Sequence, residues 1–140
     1  MTHASRDTTT GLLFEEKVRL EHEGINVTKH ALYRYMSSKG VDYQNVISRQ
    51  LLPDAAYIDI ENSHLAVYEK KFQQTAGSAD EKPQTCAFKL FEYQKIAKAL
   101  GLQKVTYTYI FNDWFKKPMY KDMLDYIKSV DGCDYFFWEE

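Results

Sequence analysis

The sequence lacks the features that mark membrane, secreted and zinc-cluster proteins. Its 140 residues contain no apolar run near the roughly 20 residues that cross a bilayer, and the N-terminus is polar rather than signal-like. Cys86 and Cys133 show no CxxC spacing, and the four histidines show no zinc or HNH spacing. No linker or repeat is evident. We therefore expect one cytoplasmic domain with no membrane partner; both cysteines are interpreted as reduced thiols, although a disulfide stays open.

An excess of positive charge is also missing, because the formal net charge is -2. Neutralising phosphates usually requires a basic surface, so this value counts against nucleic-acid binding. No helix-turn-helix or zinc-finger pattern is present either. Lysines nevertheless recur along the second half of the chain, where they either frame an anionic ligand or solvate two helices. They include the lysines at positions 70, 71, 89, 95, 98, 104, 116, 117, 121 and 128.

A predicted hairpin over residues 55–73 carries the most informative side chains. Alternating apolar residues on both sides of the polar pair at 62–63 predict two strands joined by a two-residue turn. In that register Asp54 lies opposite Lys71, two residues along the strand from Glu69. Opposed residues and residues two apart share a face of a sheet, so all three side chains should project together. Two carboxylates and a lysine suit a divalent cation beside a water-activating amine.

Asp59 is the rival to Asp54 because it is closer to Glu69 in sequence. In the predicted register Asp59 faces Ala66 on the opposite side of the sheet, roughly 10 Å from Glu69 along the ladder. We therefore expect Asp54 to be the partner, although a three-residue turn would change every pairing. An acid next to lysines is also common on the solvent face of an ordinary strand.

The rest of the chain predicts helices and strands in alternation, which indicates an α/β architecture. In the helix after the hairpin, Phe91 is expected on the buried side and Glu92 outside. Leu51 and Leu52 are expected in the core. The predicted helices cover 12–23, 29–38, 86–100 and 114–130, the predicted strands cover 104–111 and 134–138, and a loop covers 74–84.

Pro53-Asp54 and Glu69-Lys70-Lys71 resemble the two motif halves of the PD-(D/E)XK, or restriction-endonuclease-like, nucleases. This superfamily includes type II restriction endonucleases and small Holliday junction resolvases. The resemblance implies an α-β-β-β-α-β core in which a central mixed sheet is flanked by helices. It also implies that Asp54 and Glu69 hold Mg²⁺, or Mn²⁺ as a substitute, with the main-chain carbonyl near Lys70 as a further ligand. Lys71 would act on the attacking water.

The resemblance adds two residues outside the hairpin. Glu15, in a predicted first helix, would assist the metal, although it or Glu16 could equally be an ordinary surface acid. Lys89, early on the helix that crosses the sheet, would bind the substrate near the scissile phosphate. The expected function is that of a metal-dependent DNA endonuclease, and a single site implies a homodimer or a partner subunit. The alternatives are a non-catalytic nucleic-acid-binding or assembly subunit and an unrelated α/β protein with an accidental motif.

Overall fold

The computed structural model describes residues 24–73 and 82–138, and its framework is a five-stranded mixed sheet with helices. The predicted α/β class is therefore confirmed. The strands are β1 (Ile25–Asn26), β2 (Ala55–Asp59), β3 (His64–Lys71), β4 (Lys104–Phe111) and β5 (Cys133–Phe137). The helices are α1 (Ala31–Ser38), α2 (Cys86–Ala99) and α3 (Lys121–Ser129).

The strands lie in the sheet in the order in which they follow along the chain. Strands β1, β2 and β3 are antiparallel, whereas β4 is parallel to β3 and β5 is parallel to β4. Parallel neighbours need a long crossover, and α2 and α3 supply the two that this sheet requires. The parallel half therefore brings the end of β3 close to the start of α2.

The β2–β3 hairpin has a different turn from the predicted one. Asp59 pairs with His64, so the turn contains the four residues 60–63 rather than two. The Asp59 carboxylate accepts a hydrogen bond from the Asn62 main-chain N–H at 3.2 Å, and Ser63 has a φ of 53°. The predicted pairing is therefore wrong by two positions. Because two is an even number, every side chain keeps its predicted face.

One face of the sheet carries the main hydrophobic core, to which all three helices contribute. Ala56, Ile58, Leu65 and Val67 of the hairpin project into it, which is also the side expected for Asp54 and Glu69. The opposite face has a smaller buried cluster of Ala55, Tyr57 and Ile110. The hairpin therefore places its acids at the margin of the main core.

Helices α1 and α2 end where the sequence predicts. Gly40 and Gly101 follow them with φ of 75° and 76°, a backbone conformation that glycine adopts without a steric penalty. Leu102 N–H then closes α2 by donating to the Ala97 carbonyl at 2.8 Å. The predicted boundaries of both helices are therefore confirmed to within two residues.

The predicted helix over 114–130 is wrong in its first half. The residue before a proline disfavours the helical region, and Lys117 accordingly has an extended ψ of 142° before Pro118. Two short 3₁₀ turns occupy 113–116 and 118–120, and α3 begins at Lys121. Met119, in the second of these turns, is 72% exposed.

Several smaller predictions can also be compared with the structure. Leu51 is buried as predicted, but Leu52 is 48% exposed because it lies on the rim of a cleft. Cys86 and Cys133 are buried free thiols, as interpreted from their spacing. Among the described residues, no helix combines the length and the apolar composition needed to cross a bilayer. The predicted first helix, which contains Glu15, lies outside the described residues.

Candidate active site

Asp54 and Glu69 lie side by side at the end of the hairpin that is remote from the turn. Ala55 pairs with Tyr68, which places Asp54 opposite Glu69 at the next position of the ladder. The Asp54 carboxylate accepts a hydrogen bond from the Lys70 main-chain N–H at 2.9 Å. The carboxyl group of Glu69 is hydrogen-bonded to Asp54. The backbone of β3 therefore fixes one acid against the other.

The surroundings of Glu69 strongly affect the pKa of its carboxyl group. Burial raises the pKa of Glu69 to about 8, and the charge of Asp54 and the hydrogen bond to it raise this pKa as well. Lys71 and Lys89 act in the opposite direction, so both ammonium groups lie close enough to lower the pKa of Glu69. The surroundings of Glu69 therefore favour its protonated form, in which it can donate a hydrogen bond to Asp54.

A cleft of about 570 Å³ opens beside Glu69. Three cations line it, and each comes from a different part of the chain. Arg49 precedes β2, Lys71 ends β3, and Lys89 lies in the first turn of α2. Among the described lining residues Glu69 is the one carboxylic acid. The cleft therefore suits an anionic ligand placed next to the acid pair.

Three tyrosines form the inner wall of the cleft. Tyr93, Tyr107 and Tyr109 are each at most 2% exposed. The ring centroids of Tyr93 and Tyr107 are 5.7 Å apart, and those of Tyr107 and Tyr109 are 5.1 Å apart. Burial raises the pKa of all three hydroxyls, and the nearby Glu69 raises it further. The wall therefore presents neutral hydroxyl groups at physiological pH.

The segment that leads into Asp54 is anchored to α1. The Tyr33 hydroxyl donates a hydrogen bond to the Leu51 carbonyl at 2.5 Å and accepts one from the Leu51 N–H. The Pro53 carbonyl accepts from the Lys29 N–H at 3.0 Å. These contacts hold the outer wall of the cleft and fix the direction from which the chain reaches Asp54.

Four of the predicted site residues come together in the structure. Asp54, Glu69 and Lys71 share a sheet face, and Lys89 approaches them from α2. The Lys70 side chain lies elsewhere, with its ammonium 5.4 Å from the centroid of the Phe72 ring, so Lys70 contributes to this site through its main chain. Glu15, the fifth predicted side chain, lies outside the described residues.

Asp59, the predicted rival to Asp54, is at the other end of the hairpin. It pairs with His64 and accepts hydrogen bonds from the main chain and side chain of Asn62. These bonds lower the pKa of Asp59, which is the opposite of the direction found for Glu69. Asp59 therefore stabilises the turn and is not part of the acid pair.

Two charged residues near the cleft were missed or misplaced by the sequence. Arg49 follows no recognisable motif, and only the three-dimensional structure brings it to the cleft. Glu92 was expected outside but is 4% exposed, whereas Phe91 was expected inside and is 50% exposed. One carboxylate oxygen of Glu92 lies 3.9 Å from the Lys89 ammonium and has no hydrogen-bond partner among the described residues. Strict helical periodicity was the signal that could have found this exchange, because Phe91 shares a side of the helix with Lys95, whereas Glu92 lies one turn before the buried Ile96.

The acid pair offers a partial coordination shell for a hard divalent cation. Carboxylate oxygens are the ligands that Mg²⁺ and Mn²⁺ prefer, and such ions retain several waters. Asp54 and Glu69 fit this donor set because a cation between them would replace the proton that Glu69 holds. Within residues 24–73 and 82–138, no group of three or more histidine, cysteine, aspartate or glutamate side chains is clustered as a metal site.

We compared the chain with protein-family models, with curated proteins and with solved structures, and none of the three comparisons gave a match.

Proposed function

We propose that the protein is a metal-dependent endodeoxyribonuclease that hydrolyses phosphodiester bonds in the cleft beside Glu69. The observation that carries this proposal is the pair formed by Asp54 and Glu69, which lie side by side at the end of the hairpin, with Asp54 held by the Lys70 main-chain N–H at 2.9 Å. Burial and the neighbouring Asp54 raise the pKa of Glu69, and catalytic carboxylates often have such a raised pKa. Lys71, Lys89 and Arg49 line the cleft beside Glu69.

The strand order supports the resemblance to the PD-(D/E)XK nucleases. That family places its motif on the second and third strands of an antiparallel trio, followed by a crossing helix and a further strand. Here β1, β2 and β3 are antiparallel, α2 follows, and β4 returns parallel to β3. Pro53-Asp54 comes directly before β2, and Glu69-Lys70-Lys71 forms the end of β3. We therefore assign the motif to this fold as part of the proposal.

Asp54 and Glu69 would hold the metal ion, and the Lys70 carbonyl would be a further ligand. When bound, a divalent cation would activate water and offset the negative charge that develops on the phosphoryl group. The main-chain N–H of Lys70 keeps Asp54 oriented for this task. Glu69 must release its proton before it can serve as a ligand, so we expect metal affinity to rise as the pH rises towards the raised pKa of Glu69.

The cationic side chains have separate roles in the proposed reaction. Lys71 is on the same face as the two acids, and its ammonium group would orient the attacking water, whose proton would pass to solvent. Lys89 would bind the scissile phosphate, and Glu92 behind it would keep its ammonium in place. Arg49, on the outer wall, would bind a phosphate through a bidentate contact of its guanidinium group. Cutting both strands of a duplex would require a second copy or a partner subunit.

The experiment that tests this proposal is a cleavage assay on supercoiled plasmid, linear duplex and branched DNA in Mg²⁺, Mn²⁺ or EDTA. We expect metal-dependent cutting that is lost in Glu69→Gln and Lys71→Ala. Lys104→Ala is the matched control because Lys104 is an exposed lysine at the opposite end of the sheet. DNA binding without cutting would favour a non-catalytic subunit, and the absence of both would contradict a role on DNA.

A further inference from the structure

The outward side of α2 is unusual in its composition. Phe88, Phe91, Lys95 and Lys98 are all exposed, and we call these four residues the aromatic–lysine face. At 3.6 residues per turn, their spacing places them on one side of the helix. Glu92 is the one acid in α2, and it is buried, so the helix places no carboxylate on its outward side. In a chain with a net charge of -2, this side is cationic and aromatic.

The two phenylalanines expose much more ring surface than a solvated helix needs. Phe88 is 55% exposed and Phe91 is 50% exposed, and their ring centroids are 6.5 Å apart with planes inclined by 31°. The Lys95 ammonium lies 5.0 Å from the centroid of the Phe91 ring. Neighbouring exposed rings usually mark an interaction surface. Here the surface combines π-faces with cations.

The aromatic–lysine face and one wall of the cleft lie on neighbouring sides of α2. Thr85 and Lys89 line the cleft, and they lie on either side of Phe88 along the chain. From Phe88 to Lys98 the helix rises about 15 Å, the length of several nucleotides of one strand. A DNA strand whose phosphate is bound by Lys89 could therefore continue along α2 and remain close to lysine ammonium groups.

We propose that the aromatic–lysine face binds unpaired nucleotides of the strand that enters the cleft. Sequence-independent binding of single strands uses this combination, with aromatic rings that stack on bases and cations that follow the phosphates. A protein partner fits less well, because lysine is depleted at the centre of protein interfaces. The inference rests on the proposed function, because that function places the bound strand in the cleft. It narrows the substrate of the proposed nuclease to DNA with a single-stranded or branched segment.

The test measures binding of a fluorescein-labelled oligothymidine, and separately of a blunt duplex, by fluorescence anisotropy in EDTA. We expect wild-type protein to prefer the single strand, and Phe88→Ala with Phe91→Ala to weaken its binding roughly tenfold or more. Phe88→Leu with Phe91→Leu should weaken it similarly, because leucine keeps apolar area but cannot stack. Tyr126→Ala, which removes an exposed ring from α3, is the matched control and should bind like wild type.

The lysines of the face provide a second readout. Lys95→Ala and Lys98→Ala should each reduce the dependence of log K on log salt concentration by about 0.7, the value for one phosphate contact to a single strand. Thermal unfolding of every variant checks that it is folded. We expect little change, since all four side chains are exposed.

Three results would overturn the inference. The first is wild-type protein that does not bind the oligothymidine. The second is binding that survives the paired alanine or the paired leucine substitutions. The third is a dimer that the alanine substitutions dissociate while DNA binding is unchanged, which would assign the face to a second copy of the chain. Because binding is measured in EDTA, absence of cleavage by wild-type protein would contradict the proposed function and leave this inference standing.

Discussion

The two ends of the β2–β3 hairpin each carry an acid, and their surroundings have opposite effects. At the turn, Asp59 is exposed, and hydrogen bonds from Asn62 lower its pKa. At the other end, burial and Asp54 raise the pKa of Glu69 to about 8. An acid that stabilises a turn is surrounded by donors, whereas Glu69 faces another acid. The difference indicates that the structure keeps Asp54 and Glu69 together for a reason other than stability.

The largest expected effect is a difference in DNA cleavage between variants at the two ends of the β2–β3 hairpin. Glu69→Gln keeps the size of the side chain but removes the negative charge that a metal ligand needs. We expect it to reduce DNA cleavage by more than the roughly 100-fold that loss of an outer-sphere partner of a metal site costs. Asp59→Asn should leave cleavage within a few-fold of wild type in the same plasmid assay. Equal losses in both variants would remove the functional distinction between the two ends.

A second comparison uses two adjacent lysines, Lys70 and Lys71, at the same end of the hairpin as Glu69. Lys71→Ala should reduce the cleavage rate roughly 100-fold or more, as expected for loss of the group that positions the attacking water. Lys70→Ala should change the rate only slightly, because its side chain lies over Phe72 and its main chain is retained. Single-turnover rates at saturating DNA provide the measurement. The hypothesis is wrong if Lys70→Ala is the more damaged variant.

The stability of metal-free protein should depend on pH through Glu69. Its folded pKa of about 8 lies above its unfolded value, so the folded state binds more protons between these values. Stability should therefore be greatest at low pH in this window and fall by roughly 2 to 4 kcal/mol between about pH 5 and pH 8.

Urea unfolding of Glu69→Gln in EDTA is the control for this pH dependence. The substitution should remove most of the decline and make the protein more stable than wild type at about pH 8. Asp59→Asn should keep the decline, because the lowered pKa of Asp59 affects stability only at more acidic pH. A wild-type profile that rises over this window would mean that Glu69 is not protonated in the folded protein.

The smallest expected effect concerns the wall of the cleft. Tyr33→Phe removes the hydroxyl that bonds to both the N–H and the carbonyl of Leu51. We expect a loss of about 1 to 3 kcal/mol in the free energy of unfolding, since buried main-chain groups lose their partner. DNA binding should weaken as well, because Arg49 and Gln50 lie on the same segment. Tyr126→Phe, an exposed tyrosine on α3, is the matched control in chemical denaturation.

Much of the hairpin was predictable because apolar residues alternate with other residues along its two strands. Alternation along β2 and β3 assigned each side chain to a face, and the faces survived because the turn differed from prediction by an even number of residues. The length of the turn was not predictable, since Asp59 forms hydrogen bonds that replace those of a tighter turn. The candidate acids were therefore grouped correctly, although Asp54 was paired with the wrong residue.

The parts that failed have both local and distant causes. Phe91 and Glu92 were assigned to the wrong sides of α2, although strict helical periodicity places Phe91 beside Lys95 and Glu92 one turn before the buried Ile96. Arg49 reaches the cleft because Tyr33 holds the neighbouring Leu51, a contact between residues 18 positions apart. The delayed start of α3 was a local signal, because Pro118 disfavours a helical residue before it.

The most direct test of the central claim is calorimetry of Mn²⁺ binding to metal-free protein at neutral pH in buffers of different ionisation enthalpy. If Asp54 and Glu69 hold the metal, binding should release close to one proton per site, because Glu69 must ionise. Glu69→Gln should bind weakly and release almost none, whereas Asp59→Asn should match wild type. Binding without proton release, or with the same release in Glu69→Gln, would contradict a metal site at this acid pair.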